Sequence, residues 1–294
     1  MIRVQAIQAA KSARDWLMSR ADARILHVFD RVLNLSYQDS RILSIVTSKE
    51  DMGPFSFLVV QEFPGFRDVV SCDDRVRITE DLLSIGSLKV DIERIEVWDA
   101  RPEWGKIREG GHYFRLILPE LQEVIKHFRQ ERLKTSMPKD VPDILGDDGS
   151  GRQVYLAREL ISGDTDRIRV VLKNILGCGQ GLTPSGDDFL LGVLLAGYIL
   201  LPYPGLDRLC ELVQEELPGR TTMLSTAWLE AAAEGECSYV WHELFTATKN
   251  RQKEAIRQAA RKIAGKGHTS GVEALSGFCA AAQIAAARPR RAGE

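Results

Sequence analysis

The sequence is short of cysteine, of long apolar runs and of net charge. Its five cysteines show no CxxC spacing, which excludes a disulfide framework and a structural zinc site and fits a reducing compartment. The longest apolar stretch, residues 189–201, is too short to cross a bilayer and is interrupted by Gly192 and Gly197. The first twenty residues lack an uninterrupted apolar segment and so do not resemble a signal peptide.

What is present is the composition of an ordinary globular protein. Hydrophobic residues make up 44% and charged residues 27% of the 294 positions, and this length suffices for two domains. The formal net charge of −2 gives no electrostatic reason to expect nucleic acid as a partner. We therefore expect a soluble, cytoplasmic protein that binds neither nucleic acid nor membrane.

The first 115 residues are rich in short strand patterns. Residues 2–20 are predicted to form a leading amphipathic helix, and the strand patterns follow it. Short β-rich runs separated by turn residues are typical of a small barrel or sandwich. The predicted strands cover residues 25–29, 41–46, 55–60, 69–70, 76–78, 87–91 and 96–98.

Residues 116–294 are predicted to be mostly helical. Apolar residues recur with helical spacing in residues 118–133, and residues 135–151 are rich in Pro, Gly and Asp, which favours a linker or surface loop. The expected fold class is α+β, with a β-rich domain at residues 1–115 followed by an α-helical domain at 116–294. Further helices are predicted within residues 153–176, 189–201, 206–217, 221–234, 239–248, 252–263 and 278–287.

The most informative stretch is GCGQGLTPSGDDFLLGVLL, residues 177–195. Glycines at alternate positions allow positive φ and let backbone N–H groups turn toward one point. Thr183 or Ser185 is a suitable helix N-cap, and Asp187 and Asp188 would then lie in the first turn of a helix that is apolar on every face. A glycine-rich loop before a buried helix favours a binding site, although its spacing is neither a Walker A motif nor a dinucleotide fingerprint.

This loop is interpreted as a cradle for a phosphate or carboxylate group. Asp187 and Asp188 are the candidate catalytic acids, and they are also the candidate ligands for a Mg²⁺ ion; no organic cofactor is predicted. The alternative is a glycine-rich turn whose polar side chains only cap a core helix. The candidate substrate-binding residues in this stretch are Gly179, Gly181, Thr183, Ser185 and Gly186.

A second polar stretch, residues 265–277, repeats the same pattern near the end of the chain. His268 stands among glycines at the start of a small-residue helix, so it is a candidate for ligand contact or proton transfer. Thr269, Ser270 and Gly271 are candidate substrate-binding residues. Small residues at 280–287 would allow close packing against the glycine-bearing helix, and two helix N-termini brought together would form an anion site.

Arg220 precedes a predicted helix that Thr221 or Thr222 would cap. An arginine at this position could hold a phosphate or carboxylate in a bidentate manner, so it is included among the candidate substrate-binding residues. The alternative is an ordinary solvated arginine after a turn.

The segment GQGLTPSGDDFL, residues 179–190, resembles a bacterial family, long catalogued as a domain of unknown function, that includes the AllH-like subunit of oxamate carbamoyltransferase. The resemblance extends over nearly the whole chain. Cys178 and Gln180 are less typical of the family, and Glu273 stands where an Asp is common. Further matching positions are VLNL at 32–35, LSI at 43–45, residues 226–235, GHTSG at 267–271, Leu275 and Gly277.

The resemblance implies transfer of a carbamoyl group between oxalurate with phosphate and oxamate with carbamoyl phosphate, in anaerobic allantoin breakdown. It also implies work beside other protein subunits, one of them related to the succinyl-CoA synthetase α chain. The expected partners are therefore a small anionic metabolite and either partner subunits or further copies of this chain. These substrates are small anions, which suits backbone N–H cradles and an arginine.

Two further hypotheses stay open. In the first, the chain is a non-catalytic or ligand-sensing subunit, the β domain is a docking module, and the glycine loops only shape a pocket. In the second, the chain is a metal-dependent hydrolase, which would require carboxylates beside Asp187 and Asp188; Glu273 is the available candidate.

Overall fold

The computed structural model describes residues 2–38, 41–60, 63–134 and 151–287. It divides into two compact units, one of residues 1–102 with 236–239, the other of residues 103–235 with 240–294. None of the helices in the described ranges combines the length and apolar character that crossing a bilayer requires. The linker predicted at residues 135–151 falls almost wholly between the described ranges.

The first unit is built on a nine-stranded sheet that nearly closes into a barrel. The sheet has the order β2-β3-β4-β5-β1-β8-β7-β6, with β9 also paired to β1, and its end strands β2 and β6 approach each other. This confirms the predicted small β barrel followed by a helical region. The strands are β1 (Ile2–Ala10), β2 (Ala23–Val28), β3 (Val32–Tyr37), β4 (Arg41–Val46), β5 (Ser56–Val59), β6 (Val76–Thr79), β7 (Leu82–Ile85), β8 (Leu88–Asp91) and β9 (Glu96–Trp98).

Strand β1 is the centre of this sheet, and the leading helix predicted over residues 2–20 is wrong for its first half. The helix α1 covers only Lys11–Ser19. The alternate residues Val4 and Ala6 are buried in the core, and β1 pairs antiparallel with β5 and parallel with β8 and β9. The alternation of apolar residues over IRVQA is a strand pattern, and pairing on both sides of β1 outweighs the helix propensity of Ala and Gln.

The second unit is helical, with one buried helix at its centre. Its most extensive helix pair is α7 with α12, and α7 also packs against α9, α2, α8 and α6. Helix α7 is buried on every face along most of its length, as its all-round apolar sequence predicts. The helices are α2 (Trp104–Glu109), α3 (Gly111–Leu116), α4 (Leu118–Lys134), α5 (Arg152–Leu160), α6 (Thr165–Ile175), α7 (Ser185–Leu200), α8 (Tyr203–Glu216), α9 (Met223–Ala233), α10 (Tyr239–Lys249), α11 (Lys253–Ala264) and α12 (Ser270–Ala287).

Candidate functional site

The glycine loop connects α6 to α7 and has the backbone that its glycines predict. Gly177, Gly179 and Gly181 have φ of +72°, +123° and +95°. Glycine is also required sterically at position 177, because a β-carbon there would lie 2.1 Å from the carbonyl oxygen of Arg220. The loop folds back on itself where the N–H of Gly186 donates to the carbonyl of Cys178 at 2.9 Å. A side chain at Gly177 would therefore displace both the loop and the segment before α9.

The start of α7 differs from the prediction in one respect. Asp187 and Asp188 lie in its first turn, as predicted, but the N-cap residue is Pro184 and no side chain caps the helix. The expectation that Thr183 or Ser185 caps the helix is therefore wrong. The hydroxyl of Thr183 instead makes a tertiary hydrogen bond, and Asp187 accepts from the loop N–H of Gly177.

The Asp187 carboxylate joins three segments of the chain. Its Oδ1 accepts a hydrogen bond from the N–H of Gly177 at 2.8 Å, and its Oδ2 accepts from the hydroxyls of Ser225, at 2.7 Å, and Thr221. Burial raises the pKa of Asp187, while the hydrogen bonds from Ser225, Thr221 and Gly177 lower it in part. Both oxygens are thus engaged in holding the loop and α9 to α7, which is a structural task.

The Asp188 carboxyl has a different setting. The residue is 7% exposed, and its Oδ2 is buried without a hydrogen-bond partner among the described residues. Burial raises the pKa of Asp188 well above that of an ordinary aspartic acid; the hydroxyls of Ser270 and Thr183 lower it, and the negative charges of Asp187 and Glu273 raise it further. A buried polar atom without a partner is uncommon in proteins, and this oxygen lacks the hydrogen bond that a carboxyl group in the interior ordinarily makes.

The two polar stretches meet in space beside Asp188. The hydroxyls of Thr183 and Ser270 are hydrogen-bonded at 2.7 Å, although 87 residues separate them in the sequence. Behind this contact α7 and α12 lie unusually close: a β-carbon at Gly192 would be 1.8 Å from the carbonyl oxygen of Ala274, and one at Gly277 would be 2.0 Å from that of Phe189. The close helix packing expected from the small residues is confirmed, and it brings the N-termini of α7 and α12 together.

Two of the candidate glycines allow close contacts with other helices, Gly186 with α6 and Gly271 with α11. A β-carbon at Gly186 would lie 2.1 Å from the carbonyl oxygen of Ile175, and one at Gly271 would lie 1.7 Å from that of Ile263. The N–H of Gly271 donates to the carbonyl of Lys266 at 3.1 Å. The N–H groups of Gly186 and Gly271 are therefore used within the chain, whereas Gly179 and Gly181 are exposed in the loop.

The remaining candidates lie around this junction. His268 is exposed just before α12, and Thr269 is partly buried beside it. Ser185 is partly buried and is the first residue of α7. Arg220 is exposed and pairs with Glu216 at 3.4 Å, so its guanidinium already has an anionic partner. Contacts of His268 and Arg220 with a substrate stay predictions.

Helix α4 contributes charged residues that the sequence patterns did not single out. Arg129 pairs with Glu273 of α12 at 3.3 Å and donates to the hydroxyl of Ser276 at 3.2 Å, and the Arg129 and Glu273 side chains are only 18% and 12% exposed. Arg132 is close enough for the charges of Glu273 and Arg129 to act on it. The sequence does show two arginines spaced three residues apart on one face of α4. This spacing does not reveal that α12 is the helix they contact.

The sequence patterns also did not assign two hydroxyl residues near Asp187 to the site. Thr221 and Ser225 both donate to the Asp187 carboxylate, and they are spaced four residues apart at the start of α9. Thr222, one of the two predicted caps, does cap α9 by accepting from the N–H of Ser225 at 3.1 Å.

The predicted Mg²⁺ site has few ligands to offer. Both oxygens of Asp187 accept hydrogen bonds, and the described residues contain no group of three or more His, Cys, Asp or Glu side chains arranged to hold a metal ion. Mg²⁺ takes six oxygen ligands, of which proteins often supply only one or two carboxylates. Asp188 is the one carboxylate of the pair with an unengaged oxygen, and a Mg²⁺ ion there stays a prediction.

Comparison with known families gives two matches along the chain. A model described as oxamate carbamoyltransferase subunit AllH matches residues 175–282, which contain both polar stretches and helices α7 to α11. A model described as the AllH family N-terminal domain matches residues 5–97, which form most of the β unit. No solved structure matches the chain.

Proposed function

We propose, from the premise that this chain belongs to the AllH family, that it is the subunit of a carbamoyltransferase that binds the small substrate of carbamoyl transfer. The substrate pair would be oxamate with carbamoyl phosphate, or oxalurate with phosphate in the reverse direction, within nitrogen catabolism. The site would lie where the N-termini of α7 and α12 meet. Two helix N-termini favour the negative charge that these substrates carry.

A single observation carries the proposal: Asp188 Oδ2 is buried and without a partner among the described residues, beside the Thr183–Ser270 hydrogen bond. Leaving a buried polar atom unsatisfied costs about 1–3 kcal/mol, and a ligand that donates a hydrogen bond to Oδ2 would recover this cost. The other carboxylate, Asp187, is fully engaged and holds the loop in place. The arrangement thus separates a positioning carboxylate from one that is available to a substrate.

In the phosphorolytic direction, an oxygen of hydrogen phosphate attacks the carbamoyl carbon of oxalurate and forms the C–O bond of carbamoyl phosphate. The C–N bond breaks, the oxamate nitrogen leaves, and the proton that the phosphate loses replaces the one that the nitrogen gains. That nitrogen needs a proton, and a carboxyl group whose pKa is raised by burial still carries one where an ordinary carboxyl is ionised. In the synthetic direction the same carboxylate takes the proton from the attacking nitrogen. Asp188 would then act as the acid and base.

A thermal-shift screen tests whether the site binds these ligands. The purified chain would be melted with carbamoyl phosphate, phosphate, oxamate, ADP or ATP, with and without Mg²⁺. A ligand that binds only the folded state stabilises it and so raises the melting temperature. At a ligand concentration 100 times its Kd, the free energy of unfolding rises by about 2.7 kcal/mol. A shift with oxamate or carbamoyl phosphate that changes in Asp188→Asn is expected.

No shift with any ligand, on the chain alone and on the complex that copurifies with it, would refute binding at this site. A shift that Asp188→Asn leaves unchanged would place the ligand elsewhere. A shift that requires Mg²⁺ would support the metal prediction.

A further inference from the structure

The charged groups that act most directly on the Asp188 carboxyl are acidic. The neighbouring groups that act on its carboxyl through their charge are Asp187 and Glu273, both acidic. The arginines of α4 act on Glu273: Arg129 pairs with it at 3.3 Å, which offsets part of its charge, and Arg132 also responds to it. Against the ionised form of Asp188, a second carboxylate or a phosphate would add a negative charge at low solvent exposure, where repulsion is poorly screened.

The polar groups around Asp188 also limit what can bind it. The hydroxyls of Thr183 and Ser270 are hydrogen-bonded to each other at 2.7 Å, and both act on the Asp188 carboxyl. The atom that lacks a partner within the described part of the chain is Oδ2. When Asp188 is ionised, the group that completes this cluster must offer a hydrogen bond to a carboxyl oxygen without bringing a negative charge of its own.

A primary amide meets both requirements. It is neutral, and it offers N–H donors to an ionised carboxylate and a carbonyl acceptor to a protonated one, so it fits either form of Asp188. A carboxylate ligand can only accept hydrogen bonds, so it has no donor for the ionised form of Asp188 and fits only the protonated form.

We propose that Asp188 Oδ2 binds the amide group of the substrate, so that this side of the site selects an amide over a carboxylate. The inference rests on the proposed function, and it assigns the orientation of the ligand: the amide end lies against Asp188, Thr183 and Ser270. The anionic end then points away from Asp187 and Glu273. Asp188 is thereby a specificity-determining residue.

Oxamate and oxalate provide a matched pair of probes, because they differ only in whether an amide or a carboxylate occupies one end. Titration calorimetry of the wild-type chain, and of the complex that copurifies with it, would compare the two. We expect oxamate to bind at least about tenfold more tightly than oxalate, a difference of about 1.4 kcal/mol. This comparison needs no variant, so it holds even if a substitution at Asp188 prevents folding.

Two variants separate the hydrogen bond from the charge. In Asp188→Asn the new amide can donate to a carboxylate, so the preference for oxamate is expected to fall to within about threefold. In Glu273→Gln one negative charge is lost and Arg129 loses its ion-pair partner while Asp188 remains, so oxalate affinity is expected to rise several-fold with oxamate affinity kept.

The outcomes distinguish the inference from the proposed function. Equal binding of oxalate and oxamate to the wild type, or an undiminished preference in folded Asp188→Asn, would overturn the inference while leaving a ligand site in place. Binding of carbamoyl phosphate with neither oxamate nor oxalate would also overturn it. Binding of none of these probes to the chain or to its complex would overturn both proposals.

Discussion

The two adjacent carboxyl groups in the first turn of α7 differ in their hydrogen bonding. Asp187 accepts hydrogen bonds from Gly177, Thr221 and Ser225, whereas Asp188 keeps one oxygen without a partner in the described ranges. The same substitution at the two positions should therefore have different effects on stability. Adjacent side chains on a helix point about 100° apart, which is how one turn can supply both a structural group and a reactive one.

Asp187→Asn is expected to lower the melting temperature by several degrees, and Asp188→Asn is not. The amide introduced at position 187 would present a donor where two hydroxyls already donate, which costs about 1–3 kcal/mol for each unsatisfied buried group. At position 188 a neutral side chain removes the cost of burying a charge. Differential scanning calorimetry of both variants beside the wild type measures this, and an equal loss in both would show that the two carboxylates share one structural task.

The stability difference between Asp188→Asn and the wild type should grow with pH. The pKa of Asp188 is raised in the folded state by burial, so the folded state holds its proton more tightly than the unfolded state does. The stabilisation from this proton is fully present below the unfolded pKa of about 4 and is lost as pH rises through the raised folded pKa. The asparagine of the variant has no proton that titrates in this range, so the variant escapes this loss.

Melting temperatures of the two proteins from about pH 4 to about pH 8, a range that begins at the unfolded pKa, test this expectation. The curves should lie close together at the acid end and diverge above it, with the variant the more stable at high pH. Parallel curves over the whole range would show that Asp188 titrates alike in the folded and unfolded states.

At the scale of elements, the site depends on how closely α7 and α12 approach. Gly192 and Gly277 face each other's helices with no room for a β-carbon, and the obstructing atoms belong to the backbone. A flexible side chain could move aside, whereas a helix backbone can only move as a unit. The contact between Thr183 and Ser270 at the helix starts is therefore coupled to small residues further along the helices.

Gly192→Ala is expected to destabilise the helical unit by about 1–3 kcal/mol or more, since overpacking forces the helices apart. Gly205→Ala is the matched control, because Gly205 lies in helix α8 and a β-carbon there would have nothing within 4 Å. The control should be neutral or slightly stabilising, as alanine favours a helix over glycine. Chemical denaturation monitored by far-UV circular dichroism compares the two, and equal stability would mean that α7 and α12 can separate at little cost.

An element can be predicted from the sequence when its structure is determined by its own residues and their close neighbours along the chain. Helix α7 and the positive φ of its loop follow from glycine chemistry and an apolar run, and both were predicted. Strand β1 was predicted as helix, because its central position is set by pairing with distant strands. The Arg129–Glu273 pair joins positions 144 residues apart, so no local pattern could reveal it.

Some boundaries were also missed for physical reasons. Strand β7 and helices α2 and α3 are short and are not predicted, since short elements carry few periodic positions. Strand β3 is also not predicted, although it is as long as β4. Helix α12 begins at Ser270, well before the predicted start at Phe278, because its glycines are tolerated where they pack against α7 and α11. That packing depends on the fold and is absent from the sequence pattern.

At the scale of the whole molecule, the residues of the site belong to the helical unit alone. The two family matches fall one in each unit, and the matched description is that of an enzyme subunit. We therefore infer that the chain works with other protein chains, and the question at this scale is whether its own site performs the chemistry. A non-catalytic or ligand-sensing subunit would retain the site but would leave turnover to a partner.

Asp188→Asn in the assembled enzyme separates these two roles. If Asp188 exchanges a proton with the substrate nitrogen, turnover should fall about 10²- to 10⁴-fold while the complex still assembles, because Asn cannot supply or accept that proton. The complex would be recovered through a tag on this chain and assayed for carbamoyl transfer in both directions. Asp207→Asn, the same chemical change at an exposed position of α8, is the control for any general effect of the substitution. Turnover retained within a few-fold in an intact complex would assign the chemistry to another subunit and leave this chain the role of binding or sensing the ligand.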